Sequence, residues 1–356
     1  MTVNFNTGSA NYAEGKSLLS PLIQEIVDQT IEQVGLDEEL EKYGFVRETP
    51  LTPDGIITSM VGPELLAQID EDEEAPVITI LQGFEKGYTL KTFAGQHKIT
   101  KVFKKWIEQG AQISGADSSV KAELNKLKDA VVRLTQGRIL TINALVAKTY
   151  GNGFSVSTAY GPGSASPDGA ALFSASHIIK KTGGTYSNLA SGALTAITLE
   201  AAIVSHKLTL RSGNGFRIKT PEVFDLLVPR ALEITARKIL NSTSDQAGLY
   251  AGTGSNANLL NTFMFQGSKV KLVVLDMLGQ PDKDGSVIGG ANADTMWFLL
   301  NRELALMVKA FRLFTLWDNE VTMYENEATS STFVKLDSHF MTEHFNPECI
   351  VGYAGA

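Results

Sequence analysis

The stretch that most restricts what this chain can become is Ser118 to Tyr150, one unbroken helical pattern. Val120, Leu124, Leu127, Val131 and Leu134 recur at alternating steps of four and three, and Ile142 and Leu145 resume the stripe. Lys121, Asn125, Lys128 and Asp129 fall on the other side. At 1.5 Å per residue such a helix is roughly 45 Å long, longer than a small domain is wide. The rest of the fold must therefore be built along it. Asp117 or Ser118 is placed to cap its start, Gly151 and Gly153 mark its end, and only Gly137 weakens the middle.

The segments after the helix come in an informative order. A Gly161-Pro162-Gly163-Ser164 turn precedes Asp168-Gly169-Ala170-Ala171-Leu172-Phe173-Ser174-Ala175-Ser176-His177, and then comes Tyr186-Ser187-Asn188-Leu189. A new helix begins with Thr195 or Thr198 as its cap and carries Leu199, Ala202, Ile203, His206 and Leu210 on one side. Gly213-Asn214-Gly215 is a turn. Strands are expected on both sides of Pro221, at Arg217–Pro221 and Phe224–Pro229, leading into Leu232, Ala236, Ile239 and Leu240 at helical spacing. A long helix, a Gly-rich turn, this Asp-to-His motif, the Ser-Asn-Leu triplet and a strand–proline–helix unit resemble the major head subunits of Mu-like tailed bacteriophages. These are a branch of the HK97-fold capsid proteins. The resemblance runs from about Thr89 to the C-terminus and is strongest from Ser118 to Leu240, whereas Met1 to Ile69 matches little.

The resemblance implies an α+β, HK97-like capsid fold. Its parts would be an N-terminal arm (1–75), an extended hairpin loop (76–100), a peripheral domain with the long helix (101–160), an axial domain (161–310), and C-terminal strands returning to the periphery (311–356). It also implies a structural protein of the virion, assembled in the bacterial host cytoplasm. Copies would form the hexamers and pentamers of an icosahedral head around double-stranded DNA, with scaffold, portal and decoration proteins as partners. An encapsulin-type shell enclosing protein cargo shares the fold and is the alternative; a soluble enzyme is the more remote one.

The remaining stretches are read from the residues. Met1 to Ser17 is small, polar and aperiodic, as an arm would be. A helix is expected from Ser20 to Val34 and a short one from Glu38 to Tyr43, followed by a Pro-punctuated segment, Thr49 to Gly62, and an acidic surface run, Asp70 to Glu74. Val77 to Lys98 reads as a long hairpin, which by resemblance reaches onto a neighbouring subunit and adds little to its own core. Thr100 to Ile113, with Val102, Phe103 and Trp106, is a short amphipathic helix. Val270 to Leu275 is apolar as a central strand should be, Met296 to Leu300 is a further strand, and Glu303 to Val308 is a short helix or strand. Pro281 to Gly285 is a turn, and Val321 to Tyr324 is expected to pair with Phe333 to Leu336.

Charge and cysteine content narrow the function. Asp and Glu number 39 against 31 Lys and Arg, a net charge of -8, which argues against a protein whose task is to clamp a nucleic-acid backbone. The one cysteine, Cys349, excludes an internal disulfide framework and Cys-rich zinc sites. The first residues lack a basic, apolar signal pattern, and no apolar run is long enough to span a bilayer, so neither export by signal peptide nor embedding in a membrane is expected.

Four constellations imitate chemistry. Gly252-Thr253-Gly254-Ser255-Asn256-Ala257 mimics a dinucleotide loop but follows a helix, where the real motif follows a strand. Asp168, Ser174 and His177 invite a hydrolase reading without a GxSxG elbow to support it. His339, Glu343 and His344 do not have zincin spacing, and His97 and His206 have no partner the sequence identifies. Lys86 and Lys91 lie where some HK97-fold shells form an isopeptide cross-link, but no matching asparagine or glutamate is evident. The sequence therefore assigns no catalytic, cofactor-binding or metal-binding residue and implies no cofactor.

Overall fold

A computed structural model describes residues 36–61, 74, 81–100, 118–156, 165–219, 221–241, 269–326 and 331–355. The expectations for the arm, the helices at 20–34 and 100–113, most of the acidic run and the 252–257 loop lie outside the described residues.

The chain enters through α1 (Leu36–Lys42) and β1 (Phe45–Glu48), then β2 (Asp54–Met60), β3 (Gln82–Thr89) and β4 (Lys91–Ile99). The long helix follows as α2 (Ser118–Gly151). Short strands β5 (His177–Ile178), β6 (Thr185–Tyr186) and β7 (Leu189–Ala190) lead to α3 (Ala196–Thr209). Then come β8 (Val223–Pro229), a 3-10 turn, α4 (Glu233–Asn241), β9 (Lys269–Leu275), β10 (Trp297–Leu300) and α5 (Arg302–Met307). The long strands β11 (Phe311–Asn326) and β12 (Ser331–His344) precede β13 (Ile350–Tyr353).

Two larger sheets organise these elements. One has the order β1-β11-β12-β4, with β1 parallel to β11 and the other pairings antiparallel. α2 lies against its β12 and β4 strands. The helix buries Val131, Thr135, Arg138, Ile139, Ile142, Leu145, Val146 and Tyr150, which carries the apolar stripe to the helix end. Arg138 and Arg47 both bond Asp318, tying α2 and β1 to β11. Tyr150, fully buried, donates to the Tyr43 carbonyl and packs among Phe45, Phe298 and Phe311. The helix ends at Gly151, where the backbone of Gly289 approaches so closely that a Cβ at 151 would lie 2.5 Å from its Cα.

The other sheet has the order β7-β13-β10-β8-β9, and its inner strands β13, β10 and β8 are buried on both faces. Phe224, Leu226 and Val228 of β8, with Trp297 and Leu299 of β10, meet Leu199, Ala202 and Ile203 of α3 and Ala236 of α4. The alternate positions Leu227, Phe298 and Leu300 face the cluster around Ile142, Tyr150, Phe173 and Phe311. Two-sided burial is why β8 and β10 read as continuous apolar runs. At the start of α3, Thr195 and Thr198 are both used. The Thr195 hydroxyl accepts from the Thr198 N–H, and the Thr198 side chain accepts from the Thr195 N–H, a complete capping box.

Several expectations are corrected. Among the described residues of the hairpin expected at Val77 to Lys98, β3 and β4 do not pair with each other: β3 pairs antiparallel with β2, and β4 pairs with β12. The two-stranded ribbon is therefore built on the Pro-punctuated segment, and the turn at Leu90 sends the chain from the ribbon into the four-stranded sheet. β9 lies at the end of its sheet among the described residues, not at its centre. It alternates, with Lys269 and Lys271 exposed, as an edge strand tolerates. Arg217 to Pro221 contributes only an isolated bridge from Arg217 to Arg211. Within the C-terminal part, β11 and β12 join the sheet beside α2, but β13 joins the five-stranded sheet between β7 and β10.

Candidate functional site

The Asp168-to-His177 motif folds into a buried clasp. Gly169 takes φ +83°, which lets the chain reverse after Asp168. Leu172 and Phe173 then turn inward, and the Phe173 ring occupies the space that a side chain at Gly352 or Gly153 would need. This brings His177 beneath Asp168, with Nδ1 2.8 Å from Oδ2. The same oxygen accepts from the Ile178 N–H at 3.1 Å, and Oδ1 accepts from the Ala170 N–H at 3.2 Å. Burial pushes the Asp168 carboxyl up, but the hydrogen bond and charge of His177 and the two backbone donors more than offset it, so its pKa is lowered.

Nε2 of His177 faces two oxygens, Leu172 O at 3.2 Å and Asn188 Oδ1 at 3.1 Å. The Asn188 amide is oriented by its other bonds: Oδ1 accepts from the Ser174 N–H at 2.8 Å, and Nδ2 donates to Leu172 O at 2.8 Å and Pro347 O at 3.0 Å. Both ring nitrogens thus lie within hydrogen-bonding distance of oxygens. Ser174 is not aimed at the ring; its hydroxyl accepts from the Ser176 N–H at 3.2 Å. Asp168 and His177 are brought together as an acid–histidine pair, but the position a nucleophile would occupy belongs to Asn188. The geometry is that of a fastener.

Beside the clasp lies the root of the ribbon. Tyr88 of β3 stacks on Phe314, 4.5 Å between centroids, and the Leu90 N–H donates to Pro53 O at 2.9 Å. Lys86 points inward, donating to His344 O at 2.8 Å and pairing with Glu343 at 2.9 Å. Burial lowers the Lys86 pKa, and the Glu343 charge opposes that shift. Both side chains are nearly buried, so Lys86 is held within its own subunit and is not presented for a cross-link. Val61 is buried, and Gly213 lies against it. The ribbon is thus fixed to its own subunit from Asp54 to Val61 and from Gln82 to Thr89, contrary to the expectation that it adds little to its own core.

A cavity of about 310 Å³ separates ribbon from clasp, bounded by Ile57, Phe84, Lys180, Arg312, Phe345 and Glu348 among others. Lys180 sits over the Phe84 ring, 4.6 Å from its centroid. Glu348, in the 3-10 turn Pro347–Cys349, has its carboxyl pushed up to about 7 by burial. The remaining histidines are dispersed. His206 packs edge-on against Phe224, and burial pushes its pKa down to about 4. His339 stacks on Trp317 and shares a 2.9 Å hydrogen bond with Thr92. Burial, then the charges of Lys86 and His177, hold His344 well below its usual value. Among the described residues no three His, Cys, Asp or Glu side chains are placed to hold a metal ion, and no helix is long and apolar enough to cross a membrane. The roles of Asn188, Glu343 and Glu348 had no sequence signal beyond the place of Asn188 in the Ser-Asn-Leu triplet, because their partners are remote in the chain.

A long helix packed on one sheet, a second sheet covered by two helices and an extended ribbon at the junction make up an α+β layout. The profile of the phage capsid protein family matches residues 84–332, more than half of the chain. The chain belongs to that family and is a structural capsid protein of the virion shell. Distant structural likenesses include the capsid of cyanophage P-SCSP1u, at 12% identity over 89% of this chain and 88% of that one, TM-score 0.48. A phage-related protein from Bordetella bronchiseptica RB50 is also similar, at 12% identity over 94% and 97%, TM-score 0.47. A virus-like particle from Pyrococcus furiosus is similar at 8% identity over 94% and 99%, TM-score 0.47. The assignment rests on the family profile. No curated relative matches the chain.

Proposed function

We propose that copies of this chain form the hexamers and pentamers of an icosahedral head that encloses double-stranded DNA. Assembly takes place in the bacterial cytoplasm on a scaffold and around a portal, and the subunit carries no catalysis of its own. The observation that supports this reading is how the polar groups of the most distinctive motif are used. His177 and Asn188 are buried, the Asp168 side chain is nearly so, and all three are spent on one another and on backbone groups, which makes a holding device and not a reacting one. In this reading α2 with the four-stranded sheet is the peripheral part and the five-stranded sheet with α3 and α4 is the axial part.

The net charge of -8 supports enclosure of DNA without retention, since each phosphate neutralised by Lys or Arg would add salt-sensitive affinity. Packaging then depends on a motor. Electron microscopy of particles recovered from infected or expressing cells, with analysis of their contents, tests the reading. Icosahedral particles that hold DNA in the infected host are expected, and particles that hold only an enzyme cargo would overturn it in favour of a nanocompartment. Titration of purified subunit into labelled duplex is expected to show weak binding; submicromolar affinity that falls steeply with salt would refute the charge argument.

A further inference from the structure

Charge is distributed unevenly along the chain. Between Ile178 and Lys219 stand six cations, Lys180, Lys181, Lys207, Arg211, Arg217 and Lys219, against the single acid Glu200, a net +5 with His206 neutral, whereas the whole chain is at -8. The fold gathers four of these cations at two neighbouring turns. The turn between β5 and β6 carries Lys180 and Lys181, and Arg211 and Arg217 face each other across an isolated bridge on either side of the turn after α3. The turns are bonded side by side: the Lys181 N–H donates to Gly213 O at 3.1 Å, and a Cβ at Gly215 would lie 3.4 Å from Thr182 Cγ2. Lys180, Lys181 and Arg217 are exposed, and the half-buried Arg211 is anchored by bonds to Leu208 O at 2.7 Å and Leu210 O at 3.1 Å. Lys180 lies over the Phe84 ring, a contact that leaves its charge uncompensated.

We propose that this pair of turns is where the subunit touches the phosphate backbone of duplex DNA. The inference rests on the DNA-filled head proposed above and assigns the surface that meets its contents. Charge complementarity selects the occupant: the cations are grouped on an otherwise acidic chain, and most of them stand exposed, as suits an extended polyanion more than an enclosed small ion. A duplex presents a phosphate about every 1.7 Å along its axis, so adjacent turns reach neighbouring phosphates without any base-specific geometry. Four such contacts correspond to a slope of about -3.6 in log K against log salt. Because the rest of the chain is more acidic than the whole, attraction is confined to this patch and stays weak for each copy. The patch thus orients the subunit towards its contents without holding them.

Titration of full-length subunit into labelled duplex at low salt, about 50 mM, where weak binding is measurable, tests this. Lys180→Gln with Arg217→Gln is expected to weaken binding ~10-fold or more and to make the salt slope shallower by about 1.8, two contacts at about 0.9 each. Lys91→Gln with Lys98→Gln makes the same change in net charge on the exposed strand β4 of the other sheet and is expected to alter binding by less than ~2-fold. Equal losses in the two double variants would overturn the proposal. Because Lys180 also touches Phe84 of the ribbon, Arg217→Gln alone, with an unchanged melting temperature, serves as a second reading. It should make the slope shallower by about 0.9, and an unchanged slope would overturn the contact. Polyglutamate bound more tightly than duplex at the same salt would also overturn it, in favour of an acidic protein. Recovered particles without DNA would instead count against the DNA-filled head whatever the titration shows, so the two failures are distinguishable.

Discussion

Glu348 offers the sharpest quantitative test of how the ribbon root is held. Its carboxyl lies in the turn between β12 and β13, and burial raises its pKa from 4.5 to about 7. At 1.36 kcal/mol for each pKa unit, ionising this group costs the fold at most about 3 kcal/mol. The sign is set by which state loses its proton first. Below pH 4.5 both states are protonated and nothing is lost. As pH rises from 4.5 the unfolded chain ionises while the folded one does not, and stability falls until about pH 7, above which the whole penalty persists. Glu348→Gln keeps the shape and removes the charge. Denaturant unfolding of the unassembled subunit should therefore show the variant more stable by up to ~3 kcal/mol at pH 8.5, with the gain shrinking towards zero at pH 4. A pH-independent difference, or a variant less stable than the parent at pH 8.5, would refute the reasoning.

Lys86→Met leaves Glu343 buried without its cation and should cost roughly 3–5 kcal/mol in denaturant unfolding, with partial recovery when Glu343→Gln is added. Gly352→Ala places a methyl group 2.4 Å from the Phe173 ring and should destabilise by ~1–3 kcal/mol through overpacking; a neutral result would show that Phe173 has room to move. Thr195→Ala removes half of the capping box of α3 and should lower stability by about 1 kcal/mol, visible as a small drop in the thermal midpoint.

What could be read from the sequence was what is local. The helix from Ser118 to Gly151, the Thr195–Thr198 cap and the strand ending at Pro229 each have their cause within a few residues, and the structure reproduces them. The pairing of Val321 with Leu336 and of Tyr324 with Phe333 was legible for the same reason, since β11 and β12 are joined by a short connection. Pairing of β3 with β2 was hidden because β2 lies among prolines and Gly residues that read as loop. Pairing of β4 with β12 joins residues such as Gly95 and Leu336, whose separation no periodicity encodes. The clasp was half legible: Asp168 and His177 lie close together in the chain, but Asn188, which stands on the other side of the His177 ring, acts through Leu172 and Pro347.

These distant partners converge on one short stretch, His344 to Cys349. The carbonyl of His344 receives Lys86 from the ribbon, that of Pro347 receives Asn188 from the clasp, and that of Cys349 receives the Asn301 N–H beyond β10 and lies 3.4 Å from His206 on α3. The same stretch is the covalent step between β12 in one sheet and β13 in the other. Covalent connection and hydrogen bonding therefore act together here on the angle between the two sheets, and backbone acceptors do so without depending on the identity of the residues that supply them. A shell closes only if every copy presents its faces at a consistent angle. Substitutions that loosen this stretch should therefore damage particle geometry before they unfold the subunit, because the apolar cluster shared by the two sheets and the second cluster under α3 and α4 hold the fold together.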